Sequence, residues 1–292
     1  MAFNFSVFRV RALSAIVFAI IMISGLLWND WSFFTLFVMI GVGCLYEFQK
    51  LLRLISPAYN NVSLIHKWGL LLLGAAIMTA LSSNTLILQN IPLRLIGIRT
   101  VPVILVILLL ADVFTKKGSL QNWAISFIGL IYIPLGLSLF FQFKGIYIIR
   151  EFPQWGFMIP LIIIATVWIN DTMAYIAGSI IGRTPLSKIS PNKTWEGTVA
   201  GVILAVIIVT QLTGLLNNYY FPGVENTRQV FILCLTAAIA GNYGDLMESK
   251  LKRMAGVKDS GNMMPGHGGF LDRFDSILFA CPFVWLIVQI LY

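Results

Sequence analysis

The sequence predicts an all-α fold, a polytopic bundle of transmembrane helices with about nine spans and a cytoplasmic N-terminus. Three observations carry this expectation. The 292-residue chain is 58% hydrophobic and only 11% charged, with a mean hydropathy of +0.87, whereas soluble domains carry about 25% charged residues. Its apolar stretches are continuous and close to the ~20 residues a helical span requires, not alternating as in a strand-built barrel. Its cations also concentrate on one side of the expected membrane, as cytoplasmic loops demand.

The spans are expected near residues 12–27, 33–52, 68–88, 98–115, 123–143, 156–181, 198–216, 230–247 and 274–292. The first follows Arg9 and Arg11 like a signal peptide. However, Trp28-Asn29-Asp30-Trp31 offers no small-residue cleavage site and another span follows directly, so an uncleaved helix is expected. Trp28, Trp31, Trp68 and Trp123 fall at span edges, where interfacial anchors belong. Glu47, beside Gln49 and Lys50, reads as interfacial, and His66 beside Lys67 as an interfacial bystander. Asp112 lies four residues before Lys116, and a local ion pair accounts for it. Gly41, Gly43 and Gly74 suit close helix packing. Cys44, Cys234 and Cys281 lie in apolar runs without paired spacing and read as core residues.

With the N-terminus inside, 15 of the 20 Lys and Arg residues fall on the cytoplasmic side and 5 on the other. The net charge of +8 is thus explained by topology and by attraction to anionic headgroups, without nucleic acid. Residues 1–150 hold spans and short connectors, a scaffold with candidate dimer contacts. The chemistry-bearing groups fall in 151–292.

The first cluster runs from Asn170 to Gly197. Asp171 interrupts an apolar helix, where a charge costs roughly 2.5–3.5 kcal/mol. It is expected to face a wet cavity or a partner instead of lipid. Beyond Gly182, the segment Ser190-Pro191-Asn192-Lys193-Thr194-Trp195-Glu196-Gly197 breaks the helix at Pro191 and opens the next span. Thr194 is the expected N-cap, with Gly197 in place of a capping-box Glu or Gln. A helix start bearing a lysine and a hydroxyl can cradle a phosphate.

The second cluster runs from Gly241 to Asp275. Asp245, Glu248 and Ser249 share a helical face, and Asp272 and Asp275 are three residues apart at the start of the last span. Capping explains either of the last two alone. Together with Asp245 they form an oxygen-rich set suited to Mg²⁺, which takes a few carboxylates plus water and phosphates. A zinc site is not indicated, because the chain has 2 histidines and its cysteines are remote. Gly266, Gly268 and Gly269 allow backbone N–H groups to approach an anion. His267 either donates to a phosphate oxygen or holds this loop.

Residues 249–275 closely resemble the signature of phosphatidate cytidylyltransferases. The likeness runs through Ser249, Lys252-Arg253, Lys258-Asp259, Pro265, His267-Gly268-Gly269 and Asp272-Arg273-Phe274-Asp275. Met264 departs from the usual Leu, Ile or Phe. The run from Ser190 to Gly197, with Asp171 and Ala174-Tyr175 before it, resembles the nucleotide-handling region of the same family. The resemblance implies a Mg²⁺-dependent enzyme of a bacterial inner (plasma) membrane, dimeric, with a monovalent cation as an additional candidate. It would join CTP to phosphatidic acid, giving CDP-diacylglycerol and pyrophosphate at the cytoplasmic face.

The expected catalytic residues are Asp245, Asp272, Asp275, Lys193 and His267, with the three aspartates as metal ligands. Substrate binding is expected of Asp171, Thr194, Glu196, Ser249, Lys252, Arg253, Lys258, Asp259, Gly268, Gly269 and Arg273. The phosphate nucleophile is already anionic, so the chemistry asks for charge neutralisation and in-line alignment, not a strong base. Related readings are a CTP-dependent transferase or kinase acting on a prenol or ether lipid. A CDP-alcohol phosphatidyltransferase is disfavoured, because its Asp-Gly-x-x-Ala-Arg pattern is absent. A cation transporter would have no use for the Lys/Gly/His loop.

Overall fold

A computed structural model of the chain describes residues 5–115, 119–143, 157–220, 227–262 and 268–291. These residues build a polytopic helical membrane protein. In chain order the helices are α1 (Phe5–Leu27), α2 (Asp30–Ile55), the short α3 (Pro57–Asn60), α4 (Leu64–Ala80) and α5 (Leu93–Thr115). They continue with α6 (Leu120–Leu130), α7 (Gly136–Phe143), α8 (Met158–Ile181), α9 (Trp195–Tyr220), α10 (Thr227–Met254) and α11 (Leu271–Leu291). Among the described residues, 7 helical segments are long and apolar enough to cross a membrane, and Leu13–Leu27 and Leu64–Ala80 are shorter apolar helices.

Local chemistry sets the boundaries. Asn29 and Ser32 form a reciprocal capping box at the start of α2, with Ser32 N–H donating to Asn29 Oδ1 at 2.8 Å. Ser63 caps α4 by accepting from His66 N–H at 3.0 Å, and Ser119 caps α6 by accepting from Asn122 N–H at 3.1 Å. Between α6 and α7, Ile131–Leu135 forms a π-helical turn that accommodates Pro134 without ending the helix. The Ser138 hydroxyl donates to the Pro134 carbonyl at 2.6 Å.

The third apolar run is shorter than the sequence suggested. Helix α4 stops at Ala80, and β1 (Ile87–Leu88) pairs antiparallel with β2 (Ile91–Pro92). Gln89 and Asn90, with φ of 48° and 65°, supply the tight two-residue turn, which requires left-handed backbone at both positions. The Thr85 hydroxyl donates to Asp30 at 2.5 Å and ties this segment to the start of α2.

The chain forms two compact units. The first comprises Met1–Phe141 and Leu251–Phe274. Its core is aromatic where α2 meets α7: Phe37 stacks on Phe140 with centroids 4.7 Å apart, and Phe33 meets Phe37 at 4.9 Å. Gly41 and Gly74 permit close packing, since added Cβ atoms would lie 2.6 Å from Met78 Sδ and 2.8 Å from Leu45 Cδ2. The second unit comprises Gln142–Lys250 and Asp275–Tyr292. Ile162, Val206, Val209, Val230 and Cys234 form a buried cluster there, joining α8, α9 and α10.

Two polar residues behave differently from the sequence reading. His66 is 0% exposed, not interfacial. Its Nδ1 lies 2.5 Å from Asp112 Oδ2, and its Nε2 lies 3.0 Å from Ser126 Oγ. Ser63 Oγ donates to the other Asp112 oxygen at 3.3 Å, and Tyr59 OH lies 3.4 Å from Ser126 Oγ. Asp112 therefore faces across the fold to α4, while Lys116, its expected partner, lies outside the described residues. Burial pushes the Tyr59 phenol above its ordinary pKa.

Removing Asp112 leaves His66 and Ser63 buried without this partner. Asp112→Ala is expected to cost about 1–3 kcal/mol of stability, read as a lower thermal midpoint in detergent. A midpoint equal to that of the wild type would show that the network contributes nothing.

Candidate active site

The second unit contains a cleft of about 420 Å³, lined by Asp171, Tyr175, Asn192, Lys193, Thr194, Asn242 and Asp245 among others. It is built by a close approach of α8 and α9. A Cβ added to Gly197 would lie 2.7 Å from the Ala174 carbonyl oxygen and 2.8 Å from Gly178 Cα. One added to Gly201 would lie 2.7 Å from Ala174 Cβ. Small residues at turn spacing on both helices thus bring the two backbones together, as in membrane helix pairs generally.

The connecting loop is braced by its own backbone. Leu186 N–H donates to the Lys193 carbonyl at 2.7 Å and Trp195 N–H to the Thr184 carbonyl at 2.9 Å. The Glu196 carboxylate accepts from Arg183 N–H at 3.1 Å and from Thr184 N–H at 3.1 Å. Thr194 Oγ1 accepts from Gly197 N–H at 3.2 Å, the N-cap expected from sequence. Glu196 is thereby occupied in shaping the loop, while Lys193 and Thr194 line the cleft.

Opposite the loop, Asp245 forms an ion pair with Lys193 and accepts from the Ser249 hydroxyl at 3.3 Å. Asn170 and Asn242 join α8 to α10 through their side-chain amides, with Asn170 Nδ2 donating to Asn242 Oδ1 at 3.2 Å. Asn170 Nδ2 also lies 3.2 Å from Asp171 Oδ1, so the buried amide orients the carboxylate exposed to the cleft. Asp171 therefore faces a cavity, as its position in an apolar helix required. Asp275, also in this unit, is 7% exposed and accepts from Ser276 N–H at 2.7 Å.

A neighbouring groove of about 440 Å³ is lined by Leu186, Trp195, Val199, Val202, Ile203, Ile239, Tyr243 and Leu246. Thr198 and Asn242 belong to both linings, so the polar cleft and apolar groove adjoin.

The remaining expected site residues belong to the first unit. Gly256, with φ of +69°, closes α10, and Val257 N–H returns to the Lys252 carbonyl at 3.0 Å. This is a glycine-dependent helix ending. Arg253 Nη1 donates to the Val257 carbonyl at 3.3 Å, and Lys258 and Asp259 are exposed. Lys252 Nζ lies 2.6 Å from Asp272 Oδ1. Asp272 Oδ2 accepts from Ser260 N–H at 2.9 Å, Ser260 O–H at 3.0 Å and Gly269 N–H at 2.8 Å. Gly268 has φ of +84°, and an added Cβ there would lie 2.7 Å from Asp272 Oδ2. Arg273 is exposed in the first turn of α11. His267, with Met264, Pro265 and Gly266, lies outside the described residues.

Sequence reasoning undervalued Glu47. It is 1% exposed, and its Oε2 accepts from Ser260 O–H at 2.7 Å and Leu271 N–H at 2.9 Å. Its sole early sign was an acidic residue near the end of an apolar run. Among the described residues, no group of three or more His, Cys, Asp or Glu side chains is gathered to hold a metal. The cleft offers hard oxygen donors from Asp171, Asn242 and Asp245. Donors of that type suit a divalent cation that completes its shell with water and phosphate. Asp272 is committed differently, with one oxygen accepting three hydrogen bonds and the other facing Lys252.

The profile of the cytidylyltransferase family matches residues 9–291. A phosphatidate cytidylyltransferase of Bacillus subtilis (strain 168) is 33% identical over 283 residues, covering 95% of each chain. One from Rickettsia bellii is 38% identical over 165 residues, covering 55% of this chain and 67% of its own length. One from Thermotoga maritima is 40% identical over 166 residues, covering 56% of this chain and 58% of its own length.

The glycine contact that shapes the cleft is testable without any ligand. Gly197→Ala places a methyl group against the Ala174 carbonyl and Gly178. Overpacking of this kind costs about 1–3 kcal/mol, so a lower thermal midpoint in detergent is expected. Gly214→Ala, in the same helix with nothing within 4 Å of an added Cβ, serves as the control. Equal midpoints for the two variants would show that the α8–α9 approach is slack.

Proposed function

Because the chain belongs to the cytidylyltransferase family, we propose that it transfers the cytidylyl group of CTP to phosphatidic acid. The products are CDP-diacylglycerol, for phospholipid synthesis, and pyrophosphate. The observation that carries this reading is the polar cleft of Lys193, Thr194, Asp171 and Asp245 adjoining an apolar groove. A reaction between a water-soluble nucleotide and a lipid phosphate needs both surfaces side by side. The groove has the volume and lining for part of an acyl chain, and the shared Thr198 and Asn242 mark where a headgroup meets the polar side.

A phosphate oxygen of phosphatidic acid attacks the α-phosphorus of CTP. A new P–O bond forms, and the bond between the α-phosphorus and its bridging oxygen breaks, releasing pyrophosphate. No proton need be removed from the anionic nucleophile, so rate depends on charge neutralisation and alignment. Lys193, presented at the start of α9, neutralises phosphate charge, and Thr194 fixes the turn that presents it. Lys252, Arg253, Lys258 and Arg273 are further cations for the two phosphate-bearing substrates, and arginine suits bidentate contact.

Mg²⁺ is the cation this reading requires. When bound, it would supply positive charge to the triphosphate and to the departing pyrophosphate. Asp245 offers carboxylate oxygen in the cleft, and Asp272 and Asp275 are the other candidates. One or two carboxylates suffice when phosphates and water complete the shell. We further place the enzyme in an inner (plasma) membrane as a nine-span homodimer, N-terminus inside, with its site at the cytoplasmic face. The 15 to 5 distribution of cations supports the orientation, while the inner membrane and the homodimer are what the family resemblance implies.

Purified protein given phosphatidic acid, Mg²⁺ and CTP radiolabelled at its α or γ phosphorus tests the reaction. Label from the α position alone should enter the lipid. Transfer from the γ position would identify a kinase. Lys193→Ala should raise the KM for CTP and lower kcat, because a lost phosphate contact acts on both binding and the transition state. A defect confined to the KM for phosphatidic acid would move Lys193 to lipid binding.

Topology has its own test. Lys188→Cys and Asn262→Cys, both at exposed positions, are introduced into a background without Cys44, Cys234 and Cys281. Both should resist an impermeant thiol reagent in intact cells and react in inside-out vesicles. Labelling from opposite sides would put about 30 Å of hydrocarbon between the two loops and contradict the cytoplasmic placement of both.

A further inference from the structure

We propose that Glu47 is a positioning residue for the reaction. Its buried carboxylate on α2 holds both ends of the glycine loop and the first turn of α11. The catalytic part of this inference rests on the proposed cytidylyl transfer. The structural part stands without it.

A carboxylate removed from water must find donors, or its desolvation is uncompensated. Glu47 finds them on one oxygen, while among the described residues its Oε1 has no hydrogen-bond donor and lies against Gly261. Its Oε2 accepts from Ser260 O–H at 2.7 Å and from Leu271 N–H at 2.9 Å. These residues flank the loop, although they lie more than 200 positions from Glu47 in sequence (213 and 224). The loop backbone also presses directly on the carboxylate. A Cβ at Gly261 would lie 2.2 Å from Glu47 Oε1, and one at Gly269 would lie 2.2 Å from Glu47 Oε2. Only glycine permits that approach at either position without a shift. One helical turn earlier, Gly43 leaves room for the Phe270 ring, whose Cδ2 would be 2.6 Å from an added Cβ. Thus α2 receives the loop with a small residue and a carboxylate on one face.

Asp272 completes the arrangement from the other side. Its Oδ2 receives Ser260 N–H, Ser260 O–H and Gly269 N–H. The single Ser260 hydroxyl proton therefore lies between two carboxylates, Glu47 Oε2 at 2.7 Å and Asp272 Oδ2 at 3.0 Å. Leu271 N–H is one of the donors that a helix start leaves unsatisfied, and Glu47 satisfies it. Glu47 thereby fixes where α11 begins and so where Asp272 and Arg273 project. It acts through Ser260, Leu271 and Asp272, touching no substrate itself.

Glu47→Ala removes the acceptor. Misplacement by about 1 Å can cost on the order of 100-fold in rate. A fall in kcat of that order is expected, with a smaller change in the KM for CTP. Glu47→Gln keeps an oxygen acceptor at the same reach and should recover most of the lost rate. A second readout does not require activity. Labelling of Asn262→Cys, in the cysteine-free background, should be about tenfold faster with Glu47→Ala, as expected when local opening costs about 1.4 kcal/mol less, and should return towards the parent rate with Glu47→Gln.

If Glu47→Ala does not accumulate, Gly261→Ala drives a methyl group into Glu47 Oε1 and leaves the carboxylate in place. The same loss of kcat and faster labelling are then expected. Parent-like kcat and labelling in Glu47→Ala, or in Gly261→Ala where it is the variant obtained, would overturn the proposal. So would equal defects in Glu47→Ala and Glu47→Gln, because charge and not hydrogen-bond geometry would then be the requirement. If the parent protein transfers no cytidylyl group, the functional reading fails, while the labelling comparison still decides whether Glu47 holds the loop.

Discussion

A carboxylate buried in an apolar chain must be matched by donors, and this requirement organises much of the structure. Glu47 and Asp112 are 1% and 4% exposed, and the cost of burying a charge exceeds that of most other local choices. Asp112 through both oxygens, and Glu47 through Oε2, are met by groups brought from distant parts of the sequence. Asp112 on α5 takes His66 and Ser63 from the start of α4. Glu47 on α2 takes Ser260 and the first N–H of α11. These matches fix how helix ends meet, which apolar packing alone specifies weakly, because lipid tails compete for the same contacts.

Close packing supplies the second constraint, and it acts through glycine where backbones nearly touch. At α8 and α9, Gly178, Gly197 and Gly201 let one helix lie on the other with no intervening side chain. That approach brings Thr194, the cap of α9, beside the cleft that Asp171 faces from α8. The capping hydrogen bond and the cleft are therefore consequences of one helix contact. A larger residue at Gly197 would disturb both together.

The fold class and the cleft that Asp171 faces were legible in the sequence because both rest on local signals. Long apolar runs announce helices, Pro191 and Thr194 announce a break and a restart, and an Asp amid an apolar helix announces a cavity. Pairings across the fold were not legible. His66 beside Lys67 resembles an interfacial residue in one dimension, and its partner Asp112 lies 46 positions away. Asp112 had a closer candidate in Lys116, and local spacing favoured the closer one. The end of α4 was misplaced for a related reason. The residues of the hairpin are apolar enough to extend a span, and only Gln89 and Asn90, which adopt left-handed backbone, mark the turn. Glu47 was the most costly underestimate, since nothing within one helical turn of it predicts a partner in α11.

The same accounting of donors and acceptors separates two kinds of residue in the candidate site. Glu196 spends its oxygens on Arg183 and Thr184 backbone groups, and Asp272 spends its oxygens on Lys252, Ser260 and Gly269. These carboxylates brace the loops in which the sequence places the expected site residues. Asp171, Lys193 and Asp245 instead present side chains to an open cleft, where the Lys193–Asp245 pair is partly exposed, at 31% and 23%. A partly exposed pair keeps both charges near solvent and costs little to rearrange, whereas a carboxylate that accepts several backbone hydrogen bonds resists displacement. Sequence motifs place all of these residues in one class. The hydrogen bonds divide them into a rigid frame, which Glu47 joins, and a smaller polar surface that an anionic substrate can reach.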